Sequence, residues 1–97
     1  MATEPTSAEA VDFYWRPSCP FCAMLRMRLE DIGLPVRELN IWEDPHAAAF
    51  VRSVAGGNET VPTVAVGLEA LVNPGIKAVR DLVRRAAPHL LPSQAAP

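Results

Sequence analysis

The sequence predicts one α/β domain in the order β-α-β-α-β-β-α, a four-stranded mixed sheet flanked by three helices that cover both faces. Three observations carry this expectation. Runs of β-branched and aromatic residues alternate with runs whose apolar residues recur at intervals of three and four. Glycine or proline stands at the positions where helices are opened and closed. Late in the chain two short apolar runs are separated by a turn that begins with glycine, which suits an antiparallel pair.

Residues 11–15, Val-Asp-Phe-Tyr-Trp, form the first strand; Val11, Phe13 and Trp15 share one face, as expected of a central strand that packs a core. A helix follows over residues 20–32, where Phe21, Leu25, Leu29 and Ile32 lie at helical spacing. Gly33 occupies the left-handed cap position and Pro35 forbids continuation. The second strand, residues 36–41, should run parallel to the first through a right-handed crossover. Asp44 and Pro45 then predict an N-cap with proline in the first turn, and Ala47, Phe50, Val51 and Val54 trace a helix that ends at Gly56 and Gly57. Residues 63–66 and 70–72 make a hairpin joined through Gly67, Leu68 and Glu69, with a type II′ turn expected. Asn73 and Pro74 repeat the N-cap-plus-proline signal, and Ile76, Val79, Val83 and Ala86 mark the last helix. Arg80, Arg84 and Arg85 fall on its other sides.

With 97 residues, 49% hydrophobic and 21% charged, the chain is the size of one small domain, expected over residues 11–87. Residues 1–10 are small and polar and residues 88–97 hold three prolines, so both are expected to be flexible tails. No run approaches the ~18 apolar residues of a membrane span. Nine Lys+Arg are spread among eleven Asp+Glu, which argues against a nucleic-acid partner. The first ten residues have neither a basic start nor an apolar stretch, so no secretory signal is expected. Two cysteines cannot build a disulfide framework. The expected compartment is the cytoplasm, where cysteines are more often reactive or metal-binding than structural.

The chemistry concentrates at Ser18-Cys19-Pro20-Phe21-Cys22, where the first strand gives way to the first helix. On a helix, residues three apart have Cβ atoms about 5–6 Å apart, and a disulfide wants about 3.5–4.5 Å. A small adjustment at the first turn therefore interconverts dithiol and disulfide without refolding the domain. Cys19 falls at the helix N-terminus, where unpaired N–H groups and the positive end of the dipole favour a thiolate. Arg16, three residues earlier, adds positive potential. Cys22 lies inside the first turn and receives less of this field. Cys19 is accordingly expected to be the attacking nucleophile and Cys22 the resolving thiol. Two other readings stand beside this one. The pair could be half of a zinc site, with His46 and His89 as the available histidines, although His46 suits the first turn of the second helix and His89 the tail. The two cysteines could also be inert core residues that happen to lie three apart.

The segment Tyr14 to Cys22 resembles the glutaredoxin branch of the thioredoxin fold, whose pattern is Tyr-x-[Lys/Arg]-x-x-Cys-Pro-x-Cys. Thr60-Val61-Pro62-Thr63 stands where that family places its cis-proline loop. Thioredoxins proper carry Trp-Cys-Gly-Pro-Cys and an additional N-terminal strand and helix; with about ten residues before the first strand, that longer form is not expected here. Within the branch, residues 47–64 and the pair Asn73-Pro74 look most like actinobacterial mycoredoxins, which reduce mixed disulfides between proteins and mycothiol. Glutathione-using relatives have a Gly-Gly turn before the last helix whose amides hold a carboxylate of the tripeptide. Pro74 has no N–H and removes one such donor.

The resemblance implies a thiol–disulfide oxidoreductase with no bound cofactor, which uses mycothiol, or glutathione, as thiol co-substrate. Its partners would be protein mixed disulfides, the low-molecular-weight thiol and, as a further candidate, a flavoprotein disulfide reductase. The chain is expected to act as a monomer. The implied thiol-binding residues are Arg16, Phe21, Val61, Pro62 and Asn73, with Pro62 in cis and Val61 offering its backbone to an extended substrate. From the residues alone an X–Pro bond is cis in about 5–6% of cases, so a trans proline opening an edge strand is the other reading of Pro62. Trp15 is expected to be partly buried beside Val11 and Phe13, while Met24 and Met27 suit packing or surface positions. Two further functions compete with the first. One is a protein-disulfide electron donor recharged by thioredoxin reductase, for example for ribonucleotide reductase. The other is a carrier in which Cys19 of two chains and two outside thiols hold an iron–sulfur cluster.

Overall fold

The computed structural model describes residues 8–92. Its elements are β1 (Val11–Trp15), α1 (Pro20–Asp31), β2 (Val36–Asn40), α2 (Pro45–Val54), β3 (Thr63–Val66), β4 (Glu69–Val72) and α3 (Ile76–Ala86), followed by a 3-10 turn, Pro88–Leu90. The four strands form one sheet in the order β2-β1-β3-β4. β1 and β2 are parallel; β1–β3 and β3–β4 are antiparallel. This is the architecture that the alternation of strand and helix patterns predicts. No helix among the described residues is long and apolar enough to cross a membrane.

Burial on both faces explains why β1 and β3 are the interior strands. Val11 and Phe13 of β1, with Val64 and Val66 of β3, pack against Leu25 and Leu29 of α1 and Val79, Leu82 and Val83 of α3. Tyr14 and Ala65 point the other way, onto Ala47, Ala48 and Val51 of α2. The sheet is thus the middle of three layers, with α1 and α3 on one side and α2 on the other. Period-two alternation along each interior strand feeds the two cores. At the outer rim, β2 is held by charge as well as by backbone pairing: Arg37 bonds Asp12 of β1 at 2.7 Å, and Arg26 of α1 grips Glu38 with two bonds of 3.0 and 3.1 Å.

Capping follows the sequence at two helices and departs from it at the third. Asp44 caps α2, its Oδ1 accepting the N–H groups of His46 and Ala47. Gly33 follows α1 at φ +75°. The expected Asn73 cap of α3 is not formed, because Asn73 lies at φ +51°, outside the extended conformation an N-cap requires. The N-cap is Gly75, which has no side chain to bond the first turn. Asn73 instead directs its N–H to the carbonyl oxygen of Pro62 at 2.7 Å.

Boundaries also differ, α1 ending at Asp31 with Ile32 as its C-cap. β2 ends at Asn40 rather than residue 41, because the Asn40 carbonyl accepts from Glu43 and Asp44 and so begins a turn. β4 starts at Glu69, paired with Val66, which leaves Gly67 and Leu68 as a two-residue loop. Only Gly67 of the two has positive φ, as a type II′ turn requires. At the C-terminal side, packed structure runs past residue 87: Leu90 is buried in the α1/α3 core, and His89 Nε2 lies 2.7 Å from the Ala8 carbonyl oxygen. The remaining parts of the expected tails, residues 1–7 and 93–97, lie outside the described residues.

Candidate active site

β1 delivers the chain to the top of the sheet at Trp15, and five residues later α1 begins. Between them Ser18 takes φ +60°, and Cys19 becomes the N-cap of α1 in an extended conformation, φ −117° and ψ 101°. In this geometry Cys19 Sγ accepts the backbone N–H of Cys22 at 3.2 Å, the bond that a capping serine or aspartate oxygen ordinarily makes. Pro20 is the first residue of the helix, where its missing N–H leaves no donor unpaired. Cys19 and Cys22 are joined as a disulfide, with Cα atoms 5.2 Å apart. Cys19 is partly exposed, whereas Cys22 is 1% exposed and belongs to the α1/α3 core.

The loop before β3 meets this pair. The Val61–Pro62 peptide bond is cis. The Val61 carbonyl oxygen lies 4.0 Å from Cys19 Sγ, and the Pro62 side chain is buried. The adjoining Thr63 is fully buried, with its hydroxyl donating to the Thr60 carbonyl at 2.9 Å.

A groove of about 290 Å³ opens on the α3 side of the disulfide. Phe21, Pro62 and Asn73 of the expected thiol-binding set line it, and Phe21 is 65% exposed. Met24, Arg28, Pro74 and Ile76 complete its walls. The sequence reading missed Met24 and Arg28 as groove residues. Their signal was available, since they follow Phe21 at three and seven positions on one helical face. Pro74 lies one residue ahead of the Gly75 cap, so the N–H it lacks belongs to the turn rather than to the first turn of α3. Arg16 does not line this groove. It borders a second depression, of about 510 Å³, on the β2 side of the disulfide, together with Trp15, Cys19, Ala23 and Arg26. There the Arg26 guanidinium lies over the rings of Trp15 and Phe13 at 4.9 and 5.2 Å, so partly buried Trp15 packs under a cation. His46 is exposed in the first turn of α2, and among the described residues no group of three or more His, Cys, Asp or Glu side chains is arranged to hold a metal ion.

Comparison with known proteins identifies the family. The family model described as Glutaredoxin matches residues 11–71, from β1 through β4. A candidate glutaredoxin of Mycobacterium tuberculosis is 38% identical over 73 residues, which cover 73% of this chain and 86% of that protein. The hybrid peroxiredoxin hyPrx5 of Haemophilus influenzae is 34% identical over 67 residues, 69% of this chain, but the match spans only 27% of that longer protein. Among solved structures, a glutaredoxin from Archaeoglobus fulgidus superposes with a TM-score of 0.67 at 20% identity, over 87% of this chain and 97% of that one, which bears on the fold alone. A strand-to-helix junction carrying a bonded cysteine pair, on this sheet order and with that family match, leads to one conclusion: the chain belongs to the glutaredoxin family, the thiol–disulfide oxidoreductases of the thioredoxin fold.

Proposed function

We propose that this glutaredoxin reduces mixed disulfides between cytoplasmic proteins and a low-molecular-weight thiol, and that the thiol is mycothiol. The observation that carries the mechanism is the asymmetry of the pair: Cys19 Sγ is partly exposed at the N-cap of α1, while Cys22 is sealed in the core. Once reduced, Cys19 has the Cys22 N–H aimed at its sulfur, an arrangement that stabilises a thiolate.

The Cys19 thiolate attacks the mycothiol sulfur of a protein–mycothiol disulfide. One S–S bond forms as the other breaks, and the client leaves as a thiolate. The Cys19–mycothiol disulfide is then opened in one of two ways. A second mycothiol thiolate attacks the bound mycothiol sulfur, which frees Cys19 and forms mycothiol disulfide. Alternatively the Cys22 thiolate attacks Cys19 Sγ, which closes the internal disulfide and releases mycothiol. Phe21, Pro62 and Asn73 offer the groove in which the thiol moiety lies, and the Val61 backbone faces the reacting sulfur. Arg16 supplies positive potential from the other side of the loop. Mycothiol is favoured over glutathione by the likeness to mycoredoxins, by the 38% identical mycobacterial relative, and by Pro74, which withdraws an N–H from the turn before α3.

The test offers the oxidised protein mycothiol, glutathione, or thioredoxin reductase with NADPH, each alone, and counts free thiols. Two thiols restored by mycothiol, with turnover of a protein–mycothiol substrate, is the expected result. Recovery only with glutathione would overturn the choice of co-substrate. Recovery only with the reductase would replace this reading by that of a protein-disulfide electron donor.

A further inference from the structure

The Arg16 guanidinium is engaged within the protein. Its Nη1 donates to the carbonyl oxygens of Pro17 at 3.0 Å and Ser18 at 3.3 Å, and the whole group lies 5.7 Å from the ring centroid of Trp42. Trp42 is 62% exposed, yet its backbone is fixed, because its N–H donates to Asn40 Oδ1 at 2.9 Å in the turn between β2 and α2. The two carbonyls that Arg16 holds flank Ser18, whose φ of +60° is disfavoured for a residue with a β-carbon. The left-handed turn at Ser18 is also what swings Cys19 into the extended N-cap conformation, from which its sulfur meets the Cys22 N–H. An unbroken series of contacts therefore runs from the β2–α2 turn to the reacting sulfur.

We infer that Trp42 and Arg16 are positioning residues for Cys19: Trp42 restrains the Arg16 guanidinium, and Arg16 braces the Pro17–Ser18 loop so that the Cys19 thiolate keeps its N–H donor. The inference rests on Cys19 being the nucleophile. Neither side chain touches the reacting sulfur. The brace acts through backbone geometry, which separates it from the simple effect of a nearby positive charge. Trp42 carries no charge of its own, so any change in Cys19 acidity on its replacement reaches the sulfur through Arg16.

The experiment follows the reduced protein, comparing the parent with Trp42→Ala, Trp42→Phe, Arg16→Gln and the double variant Arg16→Gln/Trp42→Ala. Thiolate absorbance against pH gives the Cys19 pKa. The rate of alkylation by iodoacetamide, taken for every variant at one pH at least one unit below the parent's Cys19 pKa, gives its reactivity, with the labelled residue found by mass spectrometry. Trp42→Ala is expected to raise the Cys19 pKa by about one unit, a roughly tenfold loss of thiolate. Greater nucleophilicity recovers about threefold of this, so alkylation slows by about threefold. Trp42→Phe, which keeps an aromatic face under the guanidinium, should stay within about twofold of the parent. The double variant should be no slower than Arg16→Gln, because the tryptophan acts only through the arginine. Circular dichroism checks that each variant is folded; Trp42 is exposed, so its loss removes no core packing. An unchanged pKa in Trp42→Ala, or additive effects in the double variant, would overturn the brace while leaving Cys19 as nucleophile. Alkylation of Cys22 in the parent would overturn the nucleophile assignment and the brace with it.

Discussion

Asn73 donates its backbone N–H to the carbonyl oxygen of Pro62 at 2.7 Å, one step beyond the Thr63–Val72 pair of the β3–β4 ladder. The bond ties the turn before α3 to the cis-proline loop whose Val61 carbonyl lies against Cys19 Sγ, and so fixes the wall of the groove opposite α1. Asn73 reaches it only by entering the left-handed region, at φ +51°. Asparagine tolerates that region better than most residues that carry a β-carbon.

Replacing Asn73 therefore separates backbone shape from side-chain chemistry. Asn73→Gly should leave unfolding stability equal to or slightly above the parent. Asn73→Val should lower it by about 1–2 kcal/mol, since a β-branched residue resists positive φ. Urea denaturation measures both. A valine variant as stable as the parent would show that the turn does not depend on this conformation.

The cysteines should divide by role. Cys19→Ser is expected to abolish reduction of a protein–thiol mixed disulfide, because the other thiol, Cys22, is buried in the core. Cys22→Ser should retain turnover through attack by a second small thiol and trap the Cys19 adduct when that thiol is withheld. Assay of both variants, with mass spectrometry of the trapped species, checks the assignment; activity in Cys19→Ser would refute it.

Tyr14 gives the protein a defined alkaline weakness. Burial, with a smaller contribution from the Asp12 carboxylate, raises its pKa above the ordinary 10.0. Above about pH 10 the unfolded chain loses this proton before the folded one does, so the folded state binds more protons and stability falls as pH rises. Stability is complete below pH 10 and declines through the folded pKa. Tyr14→Phe should be flatter than the parent between pH 9 and 11 in thermal unfolding. Parallel curves would rule the residue out. The same variant keeps the ring that stacks on Phe50 at a centroid distance of 4.9 Å, so the comparison isolates the hydroxyl.

α2 is short, and its start depends on one carboxylate. Asp44→Ala leaves the N–H groups of His46 and Ala47 without their side-chain acceptor. It should cost about 1 kcal/mol in urea unfolding. Asp44→Asn or Asp44→Ser should recover most of that loss, because both supply a capping oxygen.

Much of this fold was legible because periodicity and punctuation agreed. At β1, alternation marked the strand; at Gly33 and Asp44, the cap residue and a proline within two positions of it marked the helix ends. The cysteine pair was legible for the same reason, since Pro20 announces the first turn and so locates Cys19 at its mouth. Asn73 shows where such reading stops. Asn followed by proline fits both an N-cap and a left-handed turn, and the choice was made by a long-range bond to Pro62 that no local pattern encodes. The surroundings of Arg16 were hidden for a related reason. Its Nη1 donates to the carbonyls of its own loop, and Trp42, 26 positions away, lies beside the guanidinium only because the folded topology brings it close. Leu90, after Pro88, had the composition of a tail and packs in the core because α3 ends over the sheet with room beneath it for one more turn.

The ion pairs at β2 bear on how the molecule behaves in a crowded solution. β2 is an outermost strand, and its unused amides and carbonyls are a template on which a stranger's strand could be laid. Arg37 and Glu38 project from opposite faces of that ribbon, Arg37 bound to Asp12 on the neighbouring strand and Glu38 to Arg26 of α1. An incoming apolar strand would meet salt-bridged headgroups above and below it and would have to strip water from both. The rim is thereby made unsociable, and fibrous self-stacking along it is discouraged by the same two pairs that fasten it to β1 and to α1.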